Sequence, residues 1–232
     1  MKRNEDYLVN CGGIRVPNDD TELVFIIDRS GSMSGFEDDT IGGFNSMIEK
    51  QKKDGDGMVY VSTVLFSNYS EVIHDRVPIT DVKPMTCDDY IAHGCTALFD
   101  AIGDAIHHIG NIHKYARPDD VPAHTVFIIT TDGMENASRR YSRSKVKEMI
   151  KYRTKKYGWE FIFVAADIDA CSVAEDIGIR RERSARYVKD AEGLSNCYDA
   201  MSTFVTMKRC AASEEEIDAS WKKKLEDPDG DK

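Results

Sequence analysis

The chain has 232 residues, of which 41% are hydrophobic and 31% charged, and its formal net charge at pH 7 is −10. This composition is typical of a soluble globular protein, and the acidic balance disfavours general nucleic-acid binding and suits a protein that holds a cation. The longest apolar runs have strand length, so we expect no membrane span. The N-terminal segment MKRNEDYLVNCGG lacks an apolar signal region, so we expect a cytoplasmic protein.

The six cysteines are predicted to be free thiols. None belongs to a CxxC pair and none lies at zinc-ligand spacing from a histidine. Without a secretion signal, a reducing compartment is expected to keep them unpaired. The set comprises Cys11, Cys87, Cys95, Cys171, Cys197 and Cys210.

Short apolar runs rich in β-branched and aromatic residues predict six strands. In chain order the runs are Leu23–Ile27, Met58–Phe66, Val72–Val77, Thr125–Thr130, Trp159–Val164 and a weaker Ala185–Val188. Between them, apolar residues at helical spacing predict four amphipathic helices, around residues 41–48, 98–109, 146–150 and 194–205.

The alternation of strands and helices predicts an α/β fold. Strands that are apolar on both faces require helices on both sides, so we expect a doubly wound, Rossmann-like, mostly parallel six-stranded sheet. Only the sequence SNYSE separates the second and third strands, which is too short for a crossover helix. These two strands are therefore predicted to form an antiparallel hairpin that places one antiparallel strand at the sheet edge.

Three segments are predicted along the chain. Residues 1–20 show little periodicity and are expected to form an N-terminal arm, and residues 21–210 form the domain. Residues 211–232 form a charged C-terminal tail, which is predicted to fray after a last helix around Trp221.

Polar residues with hard oxygen donors follow the predicted strands. Ligands of open α/β sheets bind outside the carboxyl ends of the parallel strands, which is where these residues fall. Two carboxylates and three hydroxyls without sulfur or imidazole favour Mg²⁺, with Mn²⁺ or Ca²⁺ as alternatives. The candidate metal ligands are Asp28, Ser30 and Ser32 after the first strand, Thr96 in GCTAL and Asp132 in TTDG.

The segment around Asp28 has two other interpretations when it is taken alone. Asp and Ser also dominate helix caps and turns, although a cap does not explain Thr96 and Asp132. A strand-end aspartate is also the nucleophile of haloacid-dehalogenase phosphatases, which require a second aspartate two residues later as general acid. Ser30 stands at that position, and a serine hydroxyl cannot protonate a leaving group at neutral pH as a carboxylic acid can. A Mg²⁺-dependent phosphatase or phosphotransferase that uses Asp28 is the alternative function.

In order and placement, the three motifs resemble the metal-ion-dependent adhesion site (MIDAS) of von Willebrand factor A (vWA) domains. The resemblance covers residues 21–210 and implies a non-enzymatic binding module, in which a glutamate or aspartate of a partner protein completes the coordination of the ion. By analogy of fold it implies an intracellular bacterial or phage member. Neither a membrane nor a nucleic acid is an expected partner.

Two residues depart from the pattern of the family beside the motifs. Arg29 follows the first aspartate and is expected to face away from the ion. Cys95 precedes the threonine, where many members have glycine, and is expected to pack. Neither residue removes a predicted ligand.

Further polar residues lie near the predicted site. Glu135 and Asn136 are expected to line its rim. In ADIDA, Asp167 or Asp169 could approach the metal, although a helix cap is favoured. The nine Lys and Arg of residues 139–156 are expected to form a solvated outer helix.

Overall fold

The computed structural model of the protein describes residues 7–9, 15–17, 19–54, 57–166, 169–210 and 219–226. Its strands are β1 (Tyr7–Val9), β2 (Arg15–Pro17), β3 (Thr21–Asp28), β4 (Val59–Phe66), β5 (Ser70–Pro78), β6 (His124–Thr131), β7 (Glu160–Ala165) and β8 (Ser184–Arg186). Its α-helices are α1 (Glu37–Gln51), α2 (Leu98–Tyr115), α3 (Arg143–Tyr157), α4 (Ala170–Asp176), α5 (Ala191–Cys210) and α6 (Lys223–Glu226).

The main sheet has six strands in the order β5-β4-β3-β6-β7-β8. All neighbouring strands pair in parallel except β4 and β5, which form an antiparallel hairpin at the edge. The predicted α/β fold, with a mostly parallel six-stranded sheet and one antiparallel edge strand, is therefore confirmed. Strand β3, the first strand of this sheet along the chain, lies near its centre, and the later strands lie on both sides of it.

The central strand shows why both faces of the sheet are covered. All eight residues of β3 are buried. Leu23, Phe25 and Ile27 pack into a core shared with α1 and α5, whereas Val24 and Ile26 pack into a second core with α2, α3 and α4. Since successive side chains of a strand point to opposite faces, one continuous apolar run supplies both cores.

Local signals explain the ends of two helices. The Ser142 side chain accepts a hydrogen bond from the backbone of Lys145 and caps α3, and Gly158 ends that helix with a φ of 67°. Asp169 caps α4 by accepting from the backbone N–H of Ser172 at 3.1 Å, as predicted. Asp167 lies outside the described residues.

The structure adds detail at the chain ends and differs from the sequence expectation at β8. The predicted arm includes β1 and β2, which form a small antiparallel ribbon separate from the main sheet. Strand β8 begins at Ser184 and ends at Arg186, so Val188, which was predicted to belong to it, is outside the strand and 62% exposed. The predicted helical end is present as a 3-10 turn, Ala219–Lys222, that leads into α6, and Trp221 is buried there.

Two further expectations concern membrane spans and cysteines. Among the described helices, none combines the length and the apolar character that crossing a membrane requires. The five cysteines in the described part of the chain are free thiols, as predicted, and Cys11 lies outside it.

The contact between α1 and α5 depends on a glycine. A Cβ atom added at Gly43 would lie 2.2 Å from the ring of Tyr198, which is buried, whereas a Cβ at Gly42 would meet no atom within 4 Å. We expect Gly43→Ala to lower the free energy of unfolding by about 1–2 kcal/mol, because overpacking outweighs the better helix propensity of alanine. Gly42→Ala, the matched control, should raise it by up to about 1 kcal/mol. Urea unfolding measures both, and equal stabilisation by the two variants would contradict this account of the helix contact.

Candidate metal centre

The five predicted ligands lie on three loops at one end of the sheet. Asp28 is the last residue of β3, and Ser30 and Ser32 follow it, Ser32 in a 3-10 turn spanning Gly31–Met33. Asp132 directly follows β6, the parallel neighbour of β3, and Thr96 lies two residues before α2. Parallel strands bring their carboxyl ends to the same edge, and for this reason residues distant in sequence approach one another.

Asp28 is held in place by two short hydrogen bonds. Its Oδ1 accepts from the backbone N–H of Ser30 at 2.7 Å, and its Oδ2 accepts from the hydroxyl of Thr131 at 2.6 Å. The side chain is buried, and burial raises the pKa of this carboxyl; the two neighbours lower it, and the charge of Asp132 adds to the rise. The protein therefore keeps a carboxyl group here at an electrostatic cost that a nearby cation would offset.

Ser30, Ser32 and Asp132 form one connected chain of oxygens. The hydroxyls of Ser30 and Ser32 lie 3.0 Å apart, and the hydroxyl of Ser32 donates to Asp132 Oδ1 at 2.6 Å. Ser30 and Asp132 are buried. Residues 100 positions apart in sequence thus share a single polar cluster.

Thr96 reaches the same cluster from the third loop. A methyl group placed on Gly133 would lie 3.6 Å from Thr96 Oγ1 and 3.7 Å from Ser32 Oγ, so both hydroxyls border the residue that follows Asp132. Thr96 is 3% exposed. All five predicted side chains are therefore brought to one place.

Asn136 holds the Thr96 loop against the Asp132 loop. Its side-chain oxygen accepts from the backbone N–H of Thr96 at 2.9 Å, and its backbone N–H donates to the backbone carbonyl of Thr96 at 3.0 Å. The prediction placed Asn136 at the rim of the site, and its hydrogen bonds give it the role of a brace between two loops. A reciprocal pair of this kind is not visible in the sequence, since it depends on how two separate loops meet.

Glu135 has a structural role as well. Its carboxylate accepts from the backbone N–H of Phe99 in the first turn of α2 at 2.8 Å, and from the N–H groups of Ala137 and Ser138 at 2.9 and 2.7 Å. A carboxylate at this position complements the positive end of the helix. Glu135 thus ties the loop after β6 to the start of α2.

The Ser30 loop is fixed to the Thr96 loop by backbone contacts. The N–H of Gly31 donates to the carbonyl of Gly94 at 3.0 Å, and a Cβ at Gly31 would lie 3.3 Å from that oxygen. Gly94 has a φ of 76°, a conformation that favours glycine. The two glycines therefore allow the close approach that joins the loops.

Tyr90 supports Asp28 from a part of the chain without a motif. Its hydroxyl donates to the backbone carbonyl of Asp28 at 2.5 Å, and the residue is 1% exposed. Sequence reasoning missed this residue, because it lies in the irregular segment between β5 and α2 where no periodicity marks burial.

Lys189 is a second residue that the sequence did not reveal. Its ammonium lies 2.6 Å from Asp132 Oδ2 and donates to the carbonyl of Ser32 at 2.8 Å. The residue follows β8 by three positions and belongs to the loop that leads into α5. It gives the cluster of two carboxylates one positive charge from the protein itself.

The two residues that depart from the family pattern differ in outcome. Arg29 faces away from the cluster, as expected: its guanidinium pairs with Glu71 at 2.6 Å and donates to the carbonyl of Asp89 at 3.2 Å. The expectation that Cys95 packs is wrong, since the residue is exposed. Its backbone N–H donates to the side chain of Asn68.

The donor set fits a hard divalent cation. Asp132 Oδ2 is buried, and the Lys189 ammonium pairs with it at 2.6 Å. In the described ranges no three His, Cys, Asp or Glu side chains converge, and this cluster has two carboxylates. The other candidate ligand atoms are hydroxyl oxygens. Mg²⁺ and Mn²⁺ bind oxygen ligands, whereas zinc favours nitrogen and sulfur.

Comparison with known proteins gives matches in structure only. No protein-family model matches the chain, and no curated protein matches it. Among solved structures, the proximal thread matrix protein 1 of the mussel byssus with a zinc-occupied MIDAS motif superposes with a TM-score of 0.56 at 15% identity, covering 80% of this chain and 46% of that one.

Two further solved structures have a comparable TM-score and sequence identity. The von Willebrand factor type A protein of Catenulispora acidiphila gives a TM-score of 0.54 at 13% identity over 83% of this chain and 44% of that one. The vWF domain of the pilus tip protein Mfa5 of Porphyromonas gingivalis gives 0.60 at 10% identity, over 83% of this chain and 97% of that one. This chain spans less than half the length of the first two proteins. At these identities the likeness concerns the fold, and the chain has the fold of von Willebrand factor A domains.

Proposed function

We propose that the protein is a metal-dependent binding module, in which a divalent cation held at the Asp28 and Asp132 cluster coordinates an acidic residue of a partner protein. The observation that carries the proposal is the convergence of two buried carboxylates and three hydroxyls on one edge of the sheet. Two buried carboxylates that repel each other are costly, and Lys189 offsets their charge only in part.

The hydroxyls and the carboxylates of the cluster would have different roles. Ser30, Ser32 and Thr96 would bind the ion through their hydroxyls, and Asp28 and Asp132 would supply charge and orient the hydroxyls and bound waters. Thr131 and the Ser30 N–H fix the Asp28 carboxylate, which limits its freedom to turn. Two carboxylates neutralise a divalent ion without saturating its coordination, so a further carboxylate is a suitable ligand.

Mg²⁺ is the proposed ion, with Mn²⁺ or Ca²⁺ as alternatives, because every donor is an oxygen. Support for a divalent ion comes from the mussel byssus protein, whose fold is similar and whose MIDAS motif holds zinc. A cytoplasmic location is proposed from the free thiols in the described part of the chain.

The geometry around Asp28 favours binding over phosphoryl transfer. Both of its carboxylate oxygens accept hydrogen bonds within the protein, and the residue is 1% exposed. A nucleophilic carboxylate needs an oxygen that can reach the phosphorus, and Ser30 provides no carboxylic acid for the leaving group. We therefore propose a non-enzymatic role.

The basic helix α3 is not proposed to bind nucleic acid. Several of its cations and those just before it already pair with the protein's own carboxylates: Arg140 with Asp104, Arg143 with Asp176, and Lys145 with Glu148. Pairs of this kind are typical of a solvated outer helix.

Peptide display tests the proposed function with a defined probe. A random peptide library is panned on the Mg²⁺-loaded protein and eluted with EDTA. We expect the eluted pool to be enriched in Asp and Glu. Replacing the shared acid of a selected peptide by its amide should weaken binding about tenfold or more, since a neutral amide is a poorer ligand for a hard cation.

The same peptides provide the control. They should not bind the Asp132→Ala variant, whereas Asp120→Ala, which changes an exposed carboxylate paired with Arg117, should bind them normally. Selected peptides that bind equally well in EDTA, or equally well to Asp132→Ala, would overturn the proposal.

A further inference from the structure

Lys189 makes three different contacts at the proposed metal centre. Its ammonium pairs with Asp132 Oδ2 at 2.6 Å, donates to the Ser32 carbonyl at 2.8 Å and lies 5.3 Å from the centre of the Phe36 ring. The side chain is 19% exposed and the Asp132 side chain is fully buried. A carboxylate, a carbonyl and an aromatic face together define a binding position for a cation.

The backbone around Lys189 holds it at this position. Asp190, the residue after Lys189, caps α5. Its carboxylate accepts from the backbone N–H of Gly193 at 2.6 Å, and its backbone carbonyl accepts from the N–H of Leu194 at 2.9 Å. On the other side, the N–H of Tyr187 donates to the carbonyl of Ala165 in β7 at 3.1 Å. The lysine therefore extends from a short loop that is anchored at both ends.

The ammonium and a divalent cation would need the same carboxylate. Lys189 binds one oxygen of Asp132, and the other oxygen accepts from Ser32, itself a proposed ligand. A lysine near this carboxylate reduces the negative charge available to the ion and repels the ion directly. The Lys189 side chain is 19% exposed, so its ammonium can turn from Asp132 toward solvent.

We propose that Lys189 is a built-in competitor of the divalent cation, which lowers the affinity of the centre for metal and moves away from Asp132 when metal binds. The inference rests on the proposed metal centre and adds a specificity-determining residue to it. A metal ion must displace the Lys189 ammonium in order to bind, so cations with a low affinity for the centre are excluded.

Metal titration of a lysine variant tests the inference. Lys189→Met keeps the length and apolar stem of the side chain and removes its charge. We expect isothermal titration with Mn²⁺ to give a dissociation constant about tenfold or more lower than in the wild-type protein. Lys114→Met is the matched control, because Lys114 is exposed near the end of α2 and should leave the constant unchanged.

A second readout follows the lysine itself. Acetylation by an amine-reactive reagent, quantified at Lys189 by mass spectrometry, should be faster with Mn²⁺ than with EDTA, whereas acetylation of Lys114 should not change. Equal or weaker Mn²⁺ binding by Lys189→Met, or acetylation of Lys189 that does not respond to Mn²⁺, would overturn the inference while leaving the metal centre in place. Absence of Mn²⁺ binding in wild type and variant alike would overturn both.

Discussion

Adding Mg²⁺ to the protein at about 100 times its dissociation constant is expected to raise the Tm by about 5–10 °C. An ion that binds only the folded state stabilises it by about 2.7 kcal/mol at that ratio, and each kcal/mol shifts the Tm of a domain of this size by about 2–4 °C. The physical source is the cluster itself. It contains the buried Asp28 and Asp132, whose charges repel each other and which Lys189 neutralises in part.

Differential scanning calorimetry with a chelator-treated sample measures this shift. The rise should saturate with Mg²⁺, be absent with the same ionic strength of NaCl, and be reversed by EDTA. A Tm that stays the same across the Mg²⁺ titration would contradict the existence of a divalent site in the folded protein.

Replacing Asp132 by alanine is expected to have the largest effect on metal binding. Asp132 is buried and accepts from Ser32 through one oxygen, so the variant loses a negative charge and the group that orients the serine hydroxyl. We expect the affinity for Mn²⁺ to fall by about 100-fold or more, because even residues that only orient metal ligands contribute about 10- to 100-fold.

Isothermal titration measures the loss, and circular dichroism tests whether the variant still folds. Lys189, freed from its partner, is 19% exposed and can turn to solvent, so the fold should persist. Asp120→Ala serves as control, since its carboxylate pairs with Arg117 on the surface. Wild-type affinity in Asp132→Ala would show that the metal, if bound, lies elsewhere.

Much of the fold could be predicted because its signals are local. Runs such as Leu23–Ile27 are apolar at every position, which requires burial on both faces and therefore a central parallel strand. The hairpin of β4 and β5 follows from the shortness of its turn. Strand β8 was placed less well, because only three residues pair with β7 and a short edge strand has a weak sequence signal.

The candidate ligands could be predicted because their spacing is set by short loops. Asp28 ends β3 and is followed at alternate positions by Ser30 and Ser32, and Asp132 follows a strand whose end is marked by its apolar run. Their meeting is a consequence of the parallel sheet, which the sequence pattern also predicts.

The residues that hold the cluster in place could not be predicted, because their role depends on contacts between separate loops. Tyr90 and Lys189 approach from irregular segments that carry no periodicity or motif. Asn136 was noticed for its position beside Asp132, but its bonds to Thr96 depend on the orientation of two loops. Cys95 was expected to pack as a small thiol, and it is exposed instead; its exposure also depends on how the loops meet.

The most direct test of the central claim is the position of the ion. An anomalous difference map from a crystal of the protein grown with Mn²⁺ is predicted to show one peak bordered by the hydroxyls of Ser30, Ser32 and Thr96, at about 2.1 Å from the oxygens that bind it. A map with no peak at this edge of the sheet, or with its strongest peak elsewhere on the protein, would contradict the account.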